Sequence, residues 1–187
     1  MVDLLVIAEP GDPSSGAFAE AVAAVSDVAV VFTPPEPLTD LSDPVLDLLR
    51  HTGAPLEVGV VAGCGRSGWS AQLLALGGRA GALALIDGLP EGFVTPEEGV
   101  ALRVERMRRL LDGPPEPPRH LSSLDFARRA TEAVRVPVLV IETPASRTPQ
   151  DVRDAVVACF SNVRLTEAAS AQEAAGLLAE WAREVRA

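Results

Sequence analysis

The chain is 187 residues long, enough to bury one good core, and the expected organisation is a single domain over residues 1–187. Its 26 acidic residues outnumber its 16 basic ones, and a net charge of −10 repels phosphate backbones, which argues against nucleic acid as a partner. Every basic residue is Arg and Lys is absent, which excludes P-loop, Schiff-base and pyridoxal chemistry, since all three need a lysine amine.

The strand candidates are continuous apolar runs: Leu4–Ala8, Val28–Phe32, Val58–Ala62, Leu83–Ile86 and Val136–Ile141, with Val163–Leu165 as a short last strand. Unbroken runs rich in β-branched residues, without alternation, mark strands covered on both faces, as in a parallel sheet. Helical patterns fall between them. Ala17–Val25 follows the turn-rich Pro10–Gly16, and Asp43–His51 carries Pro44 in its first turn. Ser70–Leu76, Leu124–Val134, Thr148–Phe160 and Ser170–Val185 complete the set. Alternating strands and helices predict an α/β fold, doubly wound, around a mostly parallel sheet of about six strands.

Residues 89–121 interrupt the alternation. Pro96–Leu111 sets Val100, Val104, Met107 and Leu111 on one helical face, and a Pro-rich return, Gly113–Pro118, follows. Two readings stand: a small helical lid beside a pocket, or a surface helix covering the sheet. No apolar run is long enough to span a membrane. The start of the chain shows neither a basic flank nor a cleavable apolar core, so a cytoplasmic location is expected. Cys64 and Cys159 are far apart, His51 and His120 are solitary, and no ligand spacing for a metal is present. No metal or cofactor is expected, and the oligomeric state is left open.

The densest functional signal is Val58-Gly-Val-Val-Ala-Gly-Cys-Gly-Arg-Ser-Gly68. An apolar run ends there in a glycine-rich turn, the helical Trp69–Leu76 follows, and the next strand ends at Asp87. Two chemistries use a strand, tight turn and helix in this way: a nucleophile elbow and a dinucleotide-binding turn.

In order, the segments resemble a shortened α/β-hydrolase. Leu4–Ser15 stands where that family has a strand and its oxyanion loop, and Val28–Pro37 resembles the next strand with its Pro/Gly loop. Asp43–His51 resembles the helix before the nucleophile strand. Ala82–Leu89 resembles the strand after the nucleophile helix, and Arg135–Ile141 the strand leading to the acidic triad member. Val163–Trp181 resembles the last strand, the His loop and the closing helix. The resemblance implies a hydrolase-type fold with a reduced lid and a site at the glycine turn.

That family needs a nucleophile on a strained turn, a His base, an acid and an oxyanion hole. If the strand runs directly into Gly63, the Gly-x-Ser-x-Gly pattern maps onto Gly63-Cys64-Gly65-Arg66-Ser67, and the nucleophile position is Gly65. A register two residues later recovers Ser67 but places Trp69 where close packing wants Gly. The first register is favoured. The loop that holds the family's base reads Leu165-Thr-Glu-Ala-Ala-Ser-Ala171, with no His, and the oxyanion loop has become Glu9-Pro10-Gly11. Without a base, a serine hydroxyl stays protonated and attacks poorly.

The expectation is therefore a hydrolase-fold protein without an intact Ser-His-acid triad, acting by binding a small molecule or a protein. Glu9, Gly63, Cys64, Gly65, Arg66, Ser67, Gly68, Asp87 and Glu142 would form its site. No catalytic residue is expected, with Ser67 the fallback nucleophile if the chain is a serine esterase or thioesterase. A third reading remains. Gly63-x-Gly65-x-x-Gly68 fits a dinucleotide turn, and Asp87 lies about 20 residues beyond, where a ribose-binding acid would stand. That reading makes the chain an NAD(P)-dependent oxidoreductase. Both binding readings expect exposed backbone N–H groups at a helix start.

Overall fold

A computed structural model of the protein describes residues 2–8, 11–33, 57–65, 67–88, 131–146 and 150–186. In chain order these give β1 (Val2–Ile7), α1 (Pro13–Val25), β2 (Ala29–Phe32), β3 (Val58–Cys64), α2 (Ser67–Leu76), β4 (Ala80–Ile86), β5 (Val138–Glu142), α3 (Gln150–Val157), β6 (Val163–Glu167) and α4 (Ala171–Glu184). The expected helix over Asp43–His51, most of Leu124–Val134 and the 89–121 lid lie outside the described residues.

The six strands form one sheet in the order β2-β1-β3-β4-β5-β6. Every neighbouring pair is parallel. The pleat divides the strands between two cores. Leu5, Ile7, Val61, Leu83, Leu85 and Val140 point to one face, where Ala71 and Leu74 of α2 and Val156 of α3 cover them. Leu4, Val6, Val60, Ala62, Ala84 and Ile141 point to the other, beneath Phe18 and Val22 of α1 and Leu178 and Trp181 of α4. Burial on both faces explains why β1, β3, β4 and β5 read as unbroken apolar runs, whereas β2, expected to be covered as well, is an edge strand with Val30 and Val31 exposed. The fold is α/β and doubly wound, around an all-parallel sheet.

Several boundaries differ from the sequence expectation, among them β1, which starts at Val2, and α2, which starts at Ser67. α1 begins at Pro13, four residues early, because Asp12 caps it: the Asp12 carboxylate accepts a hydrogen bond from Ser15 N at 2.9 Å, and proline's fixed φ suits a first turn. β3 continues through Gly63 to Cys64, which pairs with Ile86 of β4. β4 reaches back to Ala80, paired with Val58. α4 starts as expected, with a capping box in which Ser170 Oγ accepts from Glu173 N while the Glu173 carboxylate accepts from Ala169 N.

The topology fixes where a site belongs. From β1 the chain moves outward to β2, then returns past β1 to β3 and onward to β6. The helix after β1 lies on one face and the helix after β3 on the other. The two connections therefore diverge beyond the carboxyl ends of β1 and β3, leaving the crevice where open α/β sheets bind ligands.

Candidate functional site at the carboxyl ends of the strands

The corner between β3 and α2 is built from glycines in contact with backbone. Gly65 turns the chain with φ of +60°, a left-handed conformation that glycine adopts without steric cost. Its N–H donates to Ile86 O at 2.9 Å and its carbonyl accepts from Gly68 N at 3.1 Å. A Cβ on Gly63 would lie 2.5 Å from Ser67 O and 2.6 Å from Gly68 Cα. A Cβ on Gly68 would lie 2.6 Å from Gly88 O, and one on Gly88 would overlap the Gly65 carbonyl. Strand, turn and helix pack here with no room for side chains.

Ser67 is the first residue of α2, two positions past the left-handed corner. It is 0% exposed, and its Oγ has no hydrogen-bond partner among the described residues. Ser70 Oγ and Gln72 Oε1, farther along the same helix, are also buried without partners, although Gln72 Nε2 donates to Thr131 Oγ1 at 3.2 Å. Cys64 is buried in the core beneath α1 and α4, and neither cysteine forms a disulfide.

Asp87 follows β4 and is the one non-glycine residue with positive φ among those described, at +51°. Its backbone N–H donates to Ile141 O at 3.0 Å. Its carboxylate accepts from Thr143 N through Oδ1 and from Thr143 Oγ1 through Oδ2, both at 2.6 Å. Thr143 opens a turn in which Ser146 N donates to Thr143 O at 3.0 Å and Ala145 N to Thr143 Oγ1 at 3.1 Å, with Pro144 at the second position where proline is favoured. Glu142, the last residue of β5, is only 8% exposed. Burial pushes its carboxyl above the usual carboxylate range. Ser146 and Arg153 pull it back down, and the charges of Asp87 and Glu167 push it further up.

The structure thus brings Gly63, Gly65, Ser67 and Gly68 together at one corner, with Asp87 joined to it through Gly88. Glu142 stands at the end of the next strand, within electrostatic reach of Asp87. Glu9 and Arg66 lie outside the described residues, as do His51 and His120. The loop after β6 runs beside the site, since Ala168 N donates to Glu142 O at 2.8 Å, and it carries Ala168, Ala169 and Ser170. Sequence reasoning missed Thr143, Ser146 and Gly88. The Thr143-Pro144 and Asp87-Gly88 dipeptides were the available turn signals. Among the described residues no group of three or more His, Cys, Asp or Glu side chains is placed to hold a metal ion. No described helix is long and apolar enough to cross a membrane.

Comparison of the structure with solved ones returns α/β-hydrolases. MGS-MChE2, an α/β-hydrolase enzyme from the metagenome of sediments from the lagoon of Mar Chica, Morocco, matches with a TM-score of 0.65 at 14% identity, over 98% of this chain and 92% of that one. A bacterial membrane phospholipase A, described as a virulence factor, matches at 0.63 and 15% identity, over 98% and 79% of the two chains. The monoacylglycerol lipase of Paleococcus ferrophilus matches at 0.61 and 12% identity, over 97% and 94%. No family model matches the sequence. No curated protein matches it either. The chain has the α/β-hydrolase fold.

Proposed function

We propose that this hydrolase-fold chain acts by binding a small molecule at the carboxyl ends of β3, β4 and β5, without a working Ser-His-acid triad. One observation supports this most directly. The left-handed corner, where an elbow presents its nucleophile, is Gly65, whereas Ser67 is enclosed at the start of α2. A hydroxyl with no accessible surface has no path to an ester carbonyl. The loop after β6, where the fold holds its base, offers only Ala168, Ala169 and Ser170. The Gly65 corner, Asp87 and Glu142 are the described residues assigned to the proposed site.

The alternative is a serine esterase or thioesterase using Ser67, chemistry of the kind named for the lipase neighbours. Reaction with a fluorophosphonate probe, read by intact mass and peptide mapping, separates the two. The binding reading expects an unlabelled chain, and phosphonylation at Ser67 would overturn it. For the oxidoreductase reading, Asp87 would have to address a ribose, but both of its carboxylate oxygens are engaged by Thr143. Thermal shift with millimolar NAD(P) is expected to show no stabilisation.

A further inference from the structure

The left-handed residue Asp87, its short bonds to Thr143 and the close approach of Gly88 to Gly65 form one connected arrangement. A non-glycine residue at φ of +51° is in the left-handed region that favours glycine, and contacts around it must offset the steric cost. What holds it is visible: two bonds of 2.6 Å from one carboxylate to the backbone and the hydroxyl of Thr143, plus the donation from Asp87 N to Ile141 O. Gly88, the next residue, packs so close to the Gly65 carbonyl that a Cβ on it would overlap that oxygen, and Gly88 O lies 2.6 Å from where a Cβ on Gly68 would stand. Thr143 is anchored in turn by the 143–146 turn.

We propose that Asp87 is the positioning residue of the β3–α2 corner: by gripping Thr143 at the end of β5, it holds Gly88 against Gly65 and so couples the corner to a strand two places away. This is a role apart from ligand contact, and it stands whether or not the chain binds a small molecule. It predicts that the geometry of Gly65 depends on the Thr143 hydroxyl, which touches none of the corner residues in sequence.

Residue-resolved amide hydrogen exchange on the whole chain tests this. Gly65 N and Gly68 N report on the corner, through their bonds to Ile86 O and Gly65 O. Val2 N and Val58 N, bonded to Glu57 O and Arg79 O, report on the opposite end of the sheet. Thr143→Val removes the hydroxyl without touching Asp87. Asp87→Gly removes the carboxylate while freeing the backbone from steric cost. Both are expected to speed exchange at Gly65 and Gly68 at least tenfold and to leave Val2 and Val58 unchanged. Thr143→Ser, which keeps the hydroxyl, is expected to restore wild-type exchange.

Two results would overturn the proposal. In one, the Thr143 amide speeds up in Thr143→Val while Gly65 and Gly68 do not, so that the bond fastens only β4 to β5. In the other, all amides accelerate together, which marks a general loss of stability. Because the readout is exchange in the free protein, its failure leaves the binding proposal standing, and labelling at Ser67 would leave this one standing.

Discussion

Gly88 rests directly on the carbonyl of Gly65, so that even a single methyl group on Gly88 would overlap that oxygen. The contact joins the end of β4 to the corner after β3, and its atoms are main-chain atoms that cannot swing aside. Gly88→Ala must displace one of the two segments. A loss of about 1–3 kcal/mol is expected, as for other substitutions that force backbone movement in a packed site. Urea unfolding of the variant measures it, and a change below about 0.5 kcal/mol would show that the segments are not locked together.

Ser67→Ala is expected to act in the opposite direction. The Ser67 hydroxyl is wholly buried and has no partner among the described residues, so it bears a desolvation cost without a compensating bond. Its removal should stabilise the chain by about 1 kcal/mol, and Ser70→Ala should do the same. Thermal unfolding of both variants checks this. Destabilisation by Ser67→Ala would mean that the hydroxyl makes a bond the fold depends on.

Glu142 gives the chain a predicted pH dependence. Burial raises its carboxyl above the ordinary value in the folded state. The folded protein therefore prefers the protonated form, and this favourable contribution is present below the unfolded-state pKa and lost as pH rises through the folded-state one. Glu142→Gln removes the ionisation. The melting temperature of the variant should gain on wild type as pH rises from the carboxylate range towards neutrality. A difference that does not vary with pH, or that shrinks on raising it, would refute the assignment.

The fold was legible because its four inner strands are buried on both faces, and Leu4–Ala8 or Val136–Ile141 carry that burial as unbroken apolar runs. The boundaries were less so. Pro10–Gly16 reads as a turn, yet Asp12 and Pro13 are a helix start, and the two readings use the same residue types. Gly63 and Cys64 look like the beginning of the turn, but pairing of Cys64 with Ile86 carries the strand through them. At the site, the glycines and Asp87 stood out in the sequence. Which residue occupies the corner depends on backbone dihedrals, and the Gly65 and Ser67 registers differ by only two positions. The bonds between Asp87 and Thr143 join residues on different strands, and no local spacing announces them.

The proposal that the chain lacks serine-dependent hydrolysis is tested most directly by turnover of a short-chain p-nitrophenyl ester, with wild type and Ser67→Ala side by side. With Gly65 at the corner and Ser67 enclosed, both proteins should release p-nitrophenol no faster than buffer alone. Turnover by wild type that Ser67→Ala abolishes would contradict the account.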